Sequence, residues 1–282
     1  MGRPRRDAAT LGLLIGILLG PWGCSTNSHR IPTLSEQVRA EIGTLGVGTS
    51  SIIPTSDLKS PTGGKGSGAA KGAGLAAGAM AAEKPPFGLV LAPVAALGGA
   101  IYGAIVAPSA QKVKEAETAL ASAFTDLKVQ EAIHDQVLQA ARGRIGHPVV
   151  SLGETPDVDT ILEISVPSVR LAGAAALDIN PPLHLVVLAC PRLVRRADGV
   201  QLYPSETNPP AVVHMSPSRK FLEWGGEDAR LLREEMERGY RNLADRVVEE
   251  LFMGFHPPGP QWRLGGGASR LTCPSTGAER KR

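Results

Sequence analysis

A run of 21 residues without a charge, Phe87 to Ala107, constrains this chain's fold more than any other feature. It has the length of a membrane span. Within it Ala95, Gly99, Gly103 and Ala107 recur at every fourth position, and upstream Gly64, Gly68 and Gly72 keep the same spacing, extended by Ala76. Small residues at i, i+4 and i+8 line one helix face and let a second backbone approach closely. Glu83-Lys84-Pro85-Pro86 separates the two rows as a polar turn would. The first arm, Ser67 to Ala82, is shorter and contains Lys71. The pattern predicts a glycine-zipper helical hairpin over residues 60–108. Three roles stay open for it: membrane insertion or self-association, packing against its own domain, or a linker. The linker reading draws on the cost of Gly in a helix interior, about 1 kcal/mol per residue. The long uncharged second arm favours the first role.

The flanking sequence has ordinary globular patterning. Thr33 or Ser35 can cap a helix from Glu36 to Ile42, and Leu45 to Ile53 reads as a Gly-containing strand ended by Pro54. Pro108-Ser109 starts a helix predicted to run unbroken to about Arg142, with Val113, Ala116, Leu120, Phe124, Leu127, Ile133, Val137 and Leu138 as its apolar stripe. Strands follow at Pro148–Leu152, Thr160–Leu171 and Leu183–Val194, and an Asp198-Gly199 turn leads into Val200–Tyr203. Ala211–Met215 and Lys220–Leu222 are read as a further edge. A last helix, Glu227 to about Phe252, lines up Leu232, Met236, Tyr240, Leu243, Val247 and Leu251 on one face. These elements predict an α+β fold: a mixed or antiparallel sheet with helices packed on one face, interrupted by the hairpin. The expected divisions are 33–59 and 109–253 for the domain, 60–108 for the hairpin and 254–282 for a disordered basic tail.

The N-terminus reads as an export signal over residues 1–23. Arg3, Arg5 and Arg6 precede an uncharged stretch, Ala8 to Gly20, which is too short to span a bilayer and ends near Gly23-Cys24. An ordinary secretory signal or an uncleaved anchor are the alternatives to a lipoprotein signal. Residues 24–32 form a short tether. Removing the signal leaves a net charge of +1, with +4 of charge in residues 257–282. A near-neutral chain has no electrostatic footprint for nucleic acid. Cys190 falls in a strand and Cys273 in the tail; a buried free Cys190 is expected, with a 190–273 bridge as the alternative an oxidising compartment would permit.

No catalytic motif emerges. The six His are scattered, and none forms the paired-His helix motif of zinc proteases. His134-Asp135 is expected on a solvated helix face. No Gly-x-Ser-x-Gly elbow is present, and Gly63-Gly64-Lys65-Gly66-Ser67 lacks the phosphate-loop spacing. The expectation is a non-enzymatic protein with no cofactor and no metal.

Pro21-Trp22-Gly23-Cys24-Ser25 resembles a lipobox, with Gly23 before the Cys. The resemblance implies an acylated, palmitate-bearing Cys24, and the absence of an acidic residue after it implies the outer membrane, facing the periplasm. Leu162-Glu163-Ile164-Ser165-Val166, Leu183-His184-Leu185-Val186-Val187 and Val194 to Tyr203 resemble the periplasmic α/β domains of the curli-secretion lipoprotein and of the Tol–Pal β-propeller protein's N-terminal domain. That resemblance covers residues 42–253 without the hairpin, and the hairpin itself resembles glycine-zipper outer-membrane lipoproteins. Together they imply an envelope lipoprotein held by membrane lipid at Cys24. Its hairpin would associate with the membrane or self-associate through Gly64, Gly68, Gly72, Ala95, Gly99, Gly103 and Ala107, and its domain would bind an unidentified envelope protein. An oligomeric secretion or transport component, with hairpins assembled in the membrane, is the alternative.

Overall fold

The computed structural model describes residues 31, 33–60, 108–155, 157–173, 181–204, 211–254 and 273, with isolated positions between 70 and 105. In chain order the elements are helix α1 (Glu36–Glu41), strands β1 (Leu45–Thr49) and β2 (Thr55–Asp57), helices α2 (Ala110–Asp126) and α3 (Val129–Ala141), and strands β3 (Val149–Ser151), β4 (Thr160–Gly173), β5 (Leu183–Arg195), β6 (Gln201–Tyr203) and β7 (Val212–Met215). Helix α4 (Phe221–Val247) and a π-helical turn, Val248–Met253, complete them.

The two long strands β4 and β5 pair antiparallel and form the centre of a mixed sheet. Short strands flank them: β1 and β2 lie parallel along β4, β6 and β7 antiparallel along β5, and β3 parallel to β1 at the edge. Helices α2, α3 and α4 share one apolar core with this sheet, through Leu45 and Val47 of β1, Leu162 and Ile164 of β4, and Leu185, Val187 and Leu193 of β5. The α+β architecture expected from the sequence is therefore the one observed. The stripe Leu232, Met236, Tyr240, Leu243, Val247 and Leu251 is buried throughout. Glycines 46 and 48 belong to β1 because its outer face is closely approached: a Cβ on Gly46 would lie 2.7 Å from Val158, and one on Gly48 would lie 3.2 Å from Leu152.

Three expected elements change. The helix expected from Ser109 to Arg142 is two helices, broken at Lys128 in a left-handed conformation (φ 41°). Beyond the break α3 packs on the sheet as well as on α4, whereas α2 packs on α4. The strand expected over Leu45–Ile53 stops at Thr49, and the chain rejoins the sheet as β2. Gln130 holds this gap together: its amide nitrogen donates to Ile52 O (2.8 Å) and Val166 O (3.3 Å), and its oxygen accepts from Val166 N (3.1 Å). Val166 lies on β4 between the stretches matched to β1 and to β2, where Gln130 takes the place of a strand partner, and Pro167 beside it falls at the irregularity in the β4–β5 pairing between Ser165 and Ser168. Phe221 and Leu222, expected at a strand edge, instead open α4, which is interrupted by non-helical backbone from Gly226 to Ala229. Only Arg219 just before them bridges to Leu183.

Cys190 is not a free thiol. It is bridged to Cys273, with Cα atoms 5.7 Å apart. The alternation of β5 explains where the bridge lies: Leu185, Val187 and Ala189 face the helices, so Val186, Leu188 and Cys190 face the other way. There they form a second buried cluster with Ala211 and Cys273, which is 6% exposed. The other residues from 255 onward lie outside the described set.

Candidate functional site

The residues singled out by sequence, Cys24 and the row Gly64, Gly68, Gly72, Ala95, Gly99, Gly103 and Ala107, lie outside the described residues. The structure does place both flanks of the hairpin segment. Ser109 caps α2, accepting from Lys112 N at 3.3 Å. Two turns further on, Glu117 accepts from Ser60 N at 3.1 Å. Ser60 and Ser109, on either side of this segment, thus both lie against α2. Within the segment, Ala96, Leu97, Ala100, Ile101 and Ile105 are helical. Leu97, Ile101 and Ile105 are 68%, 63% and 75% exposed, at spacings of four that put them on one face. Sequence reasoning followed the glycines and passed over this stripe of large side chains.

The N-terminal side of the domain is fixed elsewhere. Ile31 N donates to Glu250 (3.3 Å), Arg246 donates twice to the same carboxylate (2.9 and 2.6 Å), and a further Arg246 nitrogen donates to Val213 O (2.7 Å). Glu250 is 2% exposed. Leu34 N also donates to Leu251 O (3.1 Å). Ile31, inside the expected tether, and Leu34 just after it are therefore docked onto the π-helical turn that follows α4 and, through Arg246, linked to strand β7.

Three polar constellations stand out among the described residues. Ser151, His134 and Asp135 resemble a nucleophile–base–acid relay in outline. His134 Nε2 lies 3.4 Å from Ser151 Oγ, and Nδ1 lies 2.9 Å from Asp135. Nε2 also lies 3.2 Å from Val47 O. A carbonyl only accepts, so this nitrogen carries its proton toward Val47 and is not free to take one from the serine. His134 is not on a solvated face, as its sequence position had suggested: its side chain is only 12% exposed and braces α3 against β1.

The second constellation lines an open cleft of about 650 Å³ bounded by Glu41, Gly43, Asp159, Arg195 and Arg196. Glu41, Asp159 and Arg195 already have partners. Arg195 pairs with Glu41 (2.5 Å) and Asp198 (2.9 Å), and these hydrogen bonds raise its pKa. Asp159 accepts from Thr44 N at 2.7 Å. Asp198 is held below the usual carboxylate range by the Val200 N–H and by Arg195, which fixes the predicted β5–β6 turn.

The third is His214, 8% exposed between β7 and α4. Burial pushes its pKa down to about 4, helped by Arg238 and Arg246. Its Nδ1 faces Asn242 at 3.4 Å, and its Nε2 has no hydrogen-bond partner. Gly239 sits over the ring, where a Cβ would come within 2.9 Å of it. His214 and the helix are packed face to face, leaving no room for a substrate. Among the described residues no His, Cys, Asp or Glu group is arranged to hold a metal ion. No described helix is long and apolar enough to cross a membrane. No family model, curated protein or solved structure matches the chain.

Proposed function

We propose that this protein is a non-enzymatic lipoprotein of the bacterial cell envelope, anchored by acylated Cys24 and facing the periplasm. Its α+β domain presents a binding surface to an envelope protein, and its 60–108 insertion associates with the membrane. The observation that carries the export half of this reading is the Cys190–Cys273 bridge, because such bonds persist in oxidising compartments and are rare in the cytosol. The exposed stripe Leu97, Ile101 and Ile105 supports the membrane half.

The test is fractionation of the wild type and Cys24→Ala chains, each labelled with palmitate and washed in alkaline carbonate. The wild type takes up label and stays in the membrane pellet. Cys24→Ala takes up none and, held by its insertion, remains partly in the pellet. Equal labelling of both chains overturns the lipid anchor. Complete release of Cys24→Ala overturns the membrane role of the insertion and leaves the lipid as the whole attachment.

A further inference from the structure

Ile31 marks a fixed point of entry into the folded domain. It is 1% exposed, and its N–H donates to Glu250, a buried carboxylate that Arg246 also holds. Leu34, buried as well, donates from its backbone to Leu251 O at 3.1 Å. Because this docking is built into the domain, the number of residues back to Cys24 limits a distance. The steps from Cys24 to Ile31 span at most about 25 Å, whatever path the chain takes. A domain of this length is roughly 40 Å across. A tether shorter than the body it holds keeps the docked end of that body on the side of the attachment.

We infer that this end of the domain, formed by α1 and the π-helical turn, rests on the phospholipid surface that holds Cys24, with Met253 at the acyl-chain boundary and Arg39 at a headgroup phosphate. This rests on the proposed acylation of Cys24 and adds which surface of the domain meets the bilayer. Met253 is 50% exposed, whereas Leu251 and Phe252 before it are buried. An unbranched thioether side chain adapts to a medium without fixed shape. Gly254 brings the turn to Arg39: a Cβ there would lie 3.4 Å from Thr33 and 3.7 Å from the Arg39 guanidinium. The acids of the turn, Glu249 and Glu250, are already paired with Arg144 and Arg246. Among the described residues Arg39 has no ion pair, and its Nε is buried without a hydrogen-bond partner. Its terminal nitrogens suit a phosphate, which a planar guanidinium binds through charge-assisted hydrogen bonds.

Cys190 and Cys273 are bonded to each other, and Cys24 is acylated in the proposed mature form, so an introduced cysteine is the one free thiol. Full-length Met253→Cys and Glu234→Cys chains would be labelled with an environment-sensitive fluorophore and reconstituted in vesicles of phosphatidylcholine and phosphatidylglycerol. Some of these vesicles would carry nitroxide high on the acyl chains. Glu234 is an exposed residue of α4, roughly 25 Å back along the same helix. Palmitate uptake would be measured on the same preparations.

The expected result is blue-shifted emission from Met253→Cys, quenched by the nitroxide lipid several-fold more than emission from Glu234→Cys. Adding Arg39→Glu to the Met253→Cys chain should weaken that quenching, because the new carboxylate repels the anionic surface. Water-like emission from both positions, with neither quenched, overturns the assignment, since the domain then hangs clear of the bilayer. Stronger quenching at Glu234→Cys overturns it by turning the domain round. Disulfide-linked dimers of unlabelled Met253→Cys, without quenching of the labelled chain, also overturn it, because a second copy then covers the corner. Quenching unchanged by Arg39→Glu overturns the phosphate contact. Failure of the anchor itself looks different: the chain takes up no palmitate, and the assignment falls with it whatever the fluorophore reads.

Discussion

The two faces of β5 are buried by different kinds of contact. On one, Leu185, Val187, Ala189 and Leu193 pack under α2, α3 and α4 within a core that also holds Trp224, Leu232 and Met236. On the other, Val186, Leu188 and Cys190 are covered in a smaller cluster with Ala211 and Cys273, against which the partly buried Ala172, Val213 and Met215 pack. The first face is held by many interdigitated side chains, each replaceable only at the cost of a cavity. Among the described residues the second has fewer apolar side chains and one covalent bond spanning 83 residues. Small clusters bury too little surface to offset the entropy of ordering a chain end, and a cross-link removes part of that entropy from the unfolded state. The contrast teaches that helix packing builds this domain and the bridge closes it.

The sharpest break in that comparison is at Trp224. It is fully buried, and its indole nitrogen donates to Leu183 O at 3.1 Å, where β5 begins. Trp224→Ala removes the ring, leaves a cavity and orphans the carbonyl. It should lower the unfolding free energy by about 4 to 5 kcal/mol in urea titrations. The opposite face should give way more mildly. Replacing both cysteines by alanine should cost about 3 kcal/mol, and reductant should produce the same loss in the wild type. Reductant should then have no effect on the double variant. If removing the bridge costs more than removing Trp224, the covalent closure rather than the helix layer is the main support of the sheet.

These two sites also differ in how well sequence revealed them. The alternation Leu162, Ile164 and Val166 and the apolar run Leu183–Val194 marked β4 and β5 because side-chain periodicity is a local property. The same is true of the stripe on α4. Contacts between distant segments were not legible. Nothing near Lys128 marks a helix break; the left-handed turn there lets α3 reach the sheet while both helices keep their packing on α4. Gln130 looked like any polar helix residue, yet it carries the backbone partners of Ile52 and Val166. The parity of Cys190, opposite to Leu185 and Val187, could have placed it away from the helices, but its partner lies in a segment with no pattern to read. At the candidate site the signal was present and overlooked: Leu97, Ile101 and Ile105 repeat with the same period as the glycines, two residues out of phase.

The smallest expected effect tests whether acid acts on the helix-packed face alone. His214 belongs to that face, beneath Gly239 of α4. Its pKa is about 4 in the folded protein against 6.5 for the free side chain, so the unfolded chain binds the proton more readily. Stability is then complete above pH 6.5 and is lost as the pH falls from 6.5 toward 4, where the folded state must accept a charge beside Arg238 and Arg246. Allowing for relaxation of the packing around the charged ring, the loss across that window is about 2 kcal/mol. Urea midpoints at pH 7.5 and pH 4.5 measure it directly. His214→Gln cannot titrate there and should lose correspondingly less stability over the same interval, which separates the ring from the carboxylates. The variant lacking both cysteines should keep the full acid sensitivity of the wild type, because the bridge lies on the other face of β5 and distant sites act additively. A flattened pH response in that variant would mean that the two faces are coupled through the strand, and that closing the back of the sheet also sets how tightly α4 sits on its front.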